Sequence, residues 1–191
     1  MTHGKDNFHT AQIINYQGIN MNKENSMPDT IAEEIDYSGR PFDYRDTDSN
    51  TSMICEHDPV IGQKIREALV SLNFNVVEAA TSKEALRYTT FHTFNVIVVN
   101  ENFDTEKYGV NKILVYLERL TMSVRRNIFV VLISPTFATM DYMNSLNKSV
   151  NLIINENEIS GVGLILNKEM EENEYFYHVF KEYKRKLGKM D

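Results

Sequence analysis

Two six-residue runs constrain this chain most: Phe94 to Val99 (Phe-Asn-Val-Ile-Val-Val) and Ile128 to Ile133 (Ile-Phe-Val-Val-Leu-Ile). A strand with one wet face alternates apolar and polar residues, whereas these are apolar almost throughout, as strands covered on both faces are. Between and around them run segments of helical period. Ile61, Ile65, Ala68, Leu69 and Leu72 share one face after Asp58-Pro59, an N-cap followed by a proline at the first helical position. Thr81 with Glu84 forms a capping box for a second helix, and Ile113, Leu114 and Leu117 mark a third. Met140, Met143 and Leu146 are spaced as a fourth, and a last helix runs to about Leu187. Ser52 to Cys55, Asn75 to Ala79 and Val150 to Ile154 complete five strands alternating with five helices. Such alternation predicts right-handed crossovers and an α/β, flavodoxin-like three-layer sandwich with a five-stranded parallel sheet. The ligand crevice of such a sheet lies beyond the carboxyl ends of its strands.

The first fifty residues read differently. They lack sustained periodicity, are rich in Asn, Asp, Ser and Thr, and carry four Lys or Arg against nine Asp or Glu. We read residues 1–50 as an acidic, disordered or loosely docked arm, and 51–191 as the folded domain. The formal net charge of −7 disfavours nucleic-acid binding. The basic cluster Lys181, Lys184, Arg185, Lys186 and Lys189 is explained by the favourable meeting of cations with a helix carboxyl end. The longest apolar run, Ile128 to Ile133, is far short of a membrane span, and no signal peptide is expected at the N-terminus. Cys55 is the one cysteine, so no internal disulfide forms and a reducing cytoplasm is the expected location.

At the predicted strand ends stand Glu56, His57 and Asp58; Asn100 and Glu101; Ser134; and Asn155 and Glu156. Here the sequence resembles the receiver domain of bacterial response regulators, over roughly Ser52 to Leu187. Ser-Met-Ile-Cys-Glu-His-Asp-Pro (52–59) matches the strand ending in that family's acidic pair. Phe-Asn-Val-Ile-Val-Val-Asn (94–100) matches the strand ending in its phosphoacceptor aspartate. Ile128 to Ser134 matches the strand ending in its hydroxyl residue, and Leu-Ile-Ile-Asn-Glu (152–156) the one ending in its Lys-Pro.

The departures indicate a degenerate, pseudo-receiver type. Glu56 keeps one carboxylate, but His57 stands where the second is expected, and imidazole suits Mg²⁺ poorly. Asn100 occupies the acceptor position and is no nucleophile toward phosphorus. Asn155 replaces the lysine, Leu152 replaces the switching aromatic, and only Ser134 is kept. The expectation is therefore no catalysis, no cofactor, and no metal beyond Glu56 at most. The resemblance implies a two-component or phosphorelay signalling module that is not phosphorylated. Its partner would be another protein, or a second copy in a homodimer. The contact face would be the fourth predicted helix, the fifth strand and the last helix, with Phe176, Tyr177, Phe180 and Tyr183 as its core. Neither nucleic acid nor membrane is expected. Two alternatives stand beside this: a phosphorelay regulator with an unorthodox acceptor such as Asp104, and a small-molecule or metal sensor using the strand-end crevice. Cys55, inside a strand, reads as inert packing.

Overall fold

The computed structural model describes residues 50–105 and 109–187; the expected arm, Asn50 apart, lies outside the described residues. In chain order the elements are β1 (Thr51–Cys55), α1 (Pro59–Ser71), β2 (Asn75–Glu78), α2 (Ser82–Phe91), β3 (Val96–Asn100), α3 (Lys112–Arg119), α4 (Met122–Arg125), β4 (Phe129–Ser134), α5 (Tyr142–Asn147), β5 (Leu152–Asn155), a 3₁₀ helix (Glu156–Gly161) and α6 (Val162–Lys186). The five strands form one parallel sheet in the order β2-β1-β3-β4-β5, so strand order switches at β1. Ile54 pairs with Val98, and Asn100 lies level with Ile133 in the neighbouring β4.

The two apolar runs are the centre of this sheet. Every residue of β3 and β4 is buried. Because successive side chains point to opposite faces, each strand feeds two cores. Ile54, Val96, Val98, Val131, Ile133 and Ile154 meet α1 and α6 through Ile65, Leu69, Val162 and Leu166. Met53, Cys55, Ile97, Val99, Leu132 and Ile153 meet α2 and α3 through Ala85, Ile113 and Leu117. This is the flavodoxin-like sandwich. No helix among the described residues is long and apolar enough to cross a membrane.

The helix starts follow the sequence closely. Asp58 accepts from the backbone N–H of Val60 (2.8 Å) and Ile61 (3.3 Å). Thr81 Oγ1 accepts from Glu84 N (3.2 Å), while the Glu84 carboxylate reaches back to Ala80 N (2.8 Å), one residue before the cap.

Two expectations are corrected. There are six described α-helices, not five, because a single extra turn, α4, precedes β4. Its Arg125 donates to the carbonyls of Ile128 (2.7 Å) and Ser149 (2.8 Å) and to Asn151 Oδ1 (3.0 Å), tying the starts of β4 and β5 together. In α5 the apolar spacing does not mark the buried face. Met143 and Leu146 are exposed, and the buried residue is Ser145. Met140 sits before the helix at a left-handed φ of 61°, and it alone of the three packs on the core.

Candidate functional site

The carboxyl ends of β1, β3 and β5 converge on one side chain. Asn100, the last residue of β3, is only 7% exposed. Its amide Nδ2 donates to Glu56 Oε2 (2.8 Å) and to Glu156 Oε1 (2.9 Å). Its Oδ1 accepts from the backbone N–H of Asn102 (2.9 Å). That last bond fixes the orientation of the amide, since a turned amide would point N–H at N–H. The two hydrogens of one neutral amide thus separate two carboxylates. Glu56 Oε1 accepts from the backbone N–H of His57 (2.7 Å) and Asp58 (3.0 Å), so both its oxygens are engaged.

The other residues named from the sequence are placed around this clasp rather than in it. The His57 ring stacks on buried Phe103 at 4.6 Å, and its Nε2 accepts from Asp104 N–H (3.1 Å). Asp104, at a left-handed φ of 49°, accepts from Ser82 N–H at the start of α2 (2.7 Å). That bond is the leading reason its carboxyl is held below the usual aspartate range. Ser134 Oγ donates to Glu101 Oε2 (2.6 Å) and accepts from Thr136 N (3.1 Å) and Phe137 N (3.2 Å). Lys148 lies 3.7 Å from the other oxygen of Glu101. Asn155 donates to Phe137 O (2.7 Å) and accepts from Asn157 N (3.0 Å), closing the turn into the 3₁₀ helix. Glu56 and Asn100 therefore meet directly, whereas Ser134 and Asn155 serve the β4–α5 loop.

Two contributors, Glu156 and Asn111, carry roles that the sequence did not announce. Glu156 stood in the strand-end list, but its reach to Asn100 depends on how the chain turns after β5. Asn111 is 6% exposed and caps α3 by accepting from Ile113 N (3.0 Å) and Leu114 N (3.2 Å). Its amide also donates to the carbonyls of Asn100 (3.0 Å) and Glu101 (3.3 Å), holding the end of β3. An Asn just before a helical stretch was the available signal. Cys55 is fully buried, and burial first, with Glu56 second, pushes its thiol up to about 12. At the opposite, amino-terminal edge of the sheet, a groove of about 410 Å³ is floored by Leu72, Phe74, Phe129 and Met170. No group of three or more His, Cys, Asp or Glu among the described residues is arranged to hold a metal ion.

Of the aromatic residues named for the last helix, Phe176, Phe180 and Tyr183 are exposed, by 76%, 44% and 64%. Tyr177 is half-buried, because its helical phase turns it toward the body of the domain, and so it leaves the exposed set.

A parallel sheet of order 2-1-3-4-5 with helices on both faces is the fold of response-regulator receiver domains. Solved structures bear this out. The response regulator receiver domain protein (CheY-like) of Methanospirillum hungatei JF-1 matches with a TM-score of 0.50 at 16% identity, over 66% of this chain and 98% of its own. The chemotaxis response regulator CheY4 of Vibrio cholerae matches with 0.50 at 13% identity, over 65% and 98%. The signal receiver domain of an HD domain-containing protein from Pseudomonas fluorescens Pf-5 matches with 0.50 at 12%, over 66% and 98%. At these identities the likeness is one of fold. No protein-family model and no curated protein sequence matches the chain.

Proposed function

We propose that this chain is a regulatory protein-interaction module of the receiver type, a pseudo-receiver whose output is not switched by aspartyl phosphorylation. The observation that carries the reading is the Asn100 amide held between Glu56 and Glu156. An amide nitrogen whose lone pair is delocalised into its carbonyl does not attack phosphorus, and both of its hydrogens are already bonded. Mg²⁺ fits the neighbouring donors poorly. A hard dication needs oxygens free to converge on it. Here Glu56 is engaged at both oxygens, His57 offers imidazole, and Asp58 caps α1. His57, whose Nε2 lone pair is taken up by the Asp104 N–H, and the buried, raised Cys55 thiol likewise offer no free nucleophile, which supports a regulatory rather than catalytic role. The reading includes a reducing cytoplasm, where a lone buried cysteine stays a thiol. It also includes a protein partner, not nucleic acid or membrane, since an acidic chain is repelled by phosphate backbones.

The test is an amide-resolved NMR titration of the full chain with Mg²⁺ and beryllofluoride, a mimic of aspartyl phosphate. The expected result is that resonances near Glu56, Asn100 and Ser134 do not move. Saturable shifts that spread to α5 or α6 would refute the reading and make Asp104 the first acceptor to mutate.

A further inference from the structure

We infer that the groove at the amino-terminal edge of the sheet is a binding site for an extended peptide, and that its occupant is this chain's own segment, residues 40–49. The site is independent of the state of Asn100 and so adds to the regulatory reading. Its floor and rim differ in chemistry. Leu72, Phe74, Phe129 and Met170 form an apolar floor, the two phenylalanines buried and the other two half-buried. The rim is set with amides. Asparagine makes up 20 of the 191 residues, yet five of the fourteen that line the groove: Asn50, Asn95, Asn127, Asn167 and Asn173. A carboxamide carries both donor and acceptor, as a peptide unit does, so a row of them suits a main chain. Asn95 Oδ1 accepts from Thr51 N–H (2.9 Å), while Asn127 Nδ2 donates to Ser123 O (2.9 Å) and Asn167 Nδ2 to Glu171 Oε1 (2.9 Å). Asn95 Nδ2, Asn127 Oδ1 and Asn167 Oδ1 have no partner among the described residues, which leaves a donor and two acceptors for a ligand. Small-molecule pockets are mostly apolar with few polar groups, whereas nine of these fourteen side chains are polar.

Where the chain enters the domain decides the occupant. Asn50 is both part of the groove wall and the lead into β1, its carbonyl accepting from Asn75 N–H (2.8 Å). β1 is an inner strand, so the chain enters at the middle of the amino edge, beside the groove, and not at a flank of the sheet. The ten residues before Asn50, outside the described residues, read Arg-Pro-Phe-Asp-Tyr-Arg-Asp-Thr-Asp-Ser. In extended backbone Phe42 and Tyr44 fall on one face, with Asp43 and Arg45 on the other. Tyr44 is six residues from Asn50 and Phe42 eight, reaches of up to about 20 Å and about 26 Å. Two rings on one face match the apolar floor, and the backbone that carries them matches the amide rim. Main-chain bonds supply affinity and alternate side chains specificity in this mode of recognition. Asp46 and Asp48 continue the face of Tyr44. Arg126 on the rim, its guanidinium 5.1 Å from the Phe180 ring centroid, has no carboxylate partner among the described residues and offers them a cation. A tethered segment meets its site at an effective concentration of about millimolar, which puts a peptide from another chain at a disadvantage.

Isotope-edited NMR of the full chain, with the methionine methyls labelled, tests this. Ring protons of Phe42 and Tyr44 should give nuclear Overhauser contacts to the Met170 methyl. A chain with both Phe42→Ala and Tyr44→Ala should lose the contacts and shift the Met170 methyl and Asn167 side-chain amide resonances, with circular dichroism confirming that the fold is kept. A synthetic peptide of residues 40–49, titrated into that double variant, should return those resonances saturably. Trypsin gives a second readout, because Arg45 lies next to Tyr44. Cleavage after Arg45 should be at least about tenfold slower in the wild type than in the double variant or in Met170→Glu. Absence of ring contacts to Met170, with Arg45 cut equally fast in all three chains, overturns the inference and leaves the groove to a different protein's peptide or to a small ligand. Contacts that arise only between a labelled and an unlabelled copy overturn it too, making the occupant a second chain. Neither readout touches the beryllofluoride titration, so the groove's occupant and the regulatory reading fail separately.

Discussion

Replacing Asn100 by aspartate changes one atom and makes the strand-end clasp self-repelling. The wild-type amide donates two bonds to carboxylates, at 2.8 and 2.9 Å, from a side chain that is 7% exposed. An ionised carboxylate there donates none and sits against two like charges. At about 4 Å and an effective dielectric of about 20, each repulsion is about 4 kcal/mol. The cheaper route is to keep one carboxyl of the three protonated. From an ordinary value near 4, that costs about 4 kcal/mol at pH 7, at about 1.4 kcal/mol per pH unit. The protonated carboxyl still supplies one hydrogen where the amide supplied two, a further loss of about 1.5–3 kcal/mol. Glu56 and Glu156 are half-buried, so water relieves part of this, and we expect Asn100→Asp to destabilise the domain by about 4–6 kcal/mol at pH 7. For a domain of this size the midpoint of thermal unfolding should fall by about 12–20 °C.

The pH dependence has a definite sign. The shared carboxyl of the variant has its folded-state pKa raised, so the folded form holds the proton more tightly than the unfolded chain. Stability relative to wild type is therefore recovered as pH falls through the raised value and lost as pH rises. Between pH 7 and pH 5 the deficit should shrink by about 2.7 kcal/mol. Thermal unfolding followed by circular dichroism at both pH values, with and without Mg²⁺, is the assay. Mg²⁺ should raise the midpoint of the variant, by replacing the proton among three carboxylates, and leave wild type unchanged. An unchanged midpoint at pH 7, or a deficit equal at pH 5 and pH 7, would refute the clasp.

Asn111→Ala removes the cap of α3 and both bonds to the end of β3, and should cost about 2–3 kcal/mol in urea unfolding. A loss under about 0.5 kcal/mol would mean that water takes over its role. Cys55, with its thiol pushed up to about 12 behind a fully buried side chain, should not react with a disulfide reagent at pH 7.5 until the protein is unfolded in urea. Labelling of the native protein at the rate of a free thiol contradicts that burial. The Asp104 carboxyl is held low by Ser82 N–H, so its stabilising contribution is present above the unfolded aspartate pKa and is lost as pH drops below about 4. Asp104→Asn should accordingly flatten the acid limb of the stability curve, which differential scanning calorimetry from pH 3 to pH 5 would show.

The strands and caps of this protein were legible in the chain because they rest on local physics. The apolar runs at Phe94–Val99 and Ile128–Ile133 read as doubly covered strands, and supply most of Val96–Asn100 and Phe129–Ser134, while Asp58 and Thr81 cap helices through bonds that close within three residues. The positions at the strand ends followed from the same alternation, including the amide at Asn100. Their connections did not, because they depend on where separate strands end relative to one another. Glu156 is 56 residues from Asn100, yet parallel register brings it within 2.9 Å. Ser134 turns to Glu101, 33 residues away, rather than to Asn100. Helical phase shows the same division. Apolar spacing located α5 and α6, but whether Met143, Leu146 or Phe176 faces the core is set by how each helix is rotated on the sheet, and all three face out. Periodicity specifies that a helix has an apolar side; the packing of the whole molecule decides which way that side points.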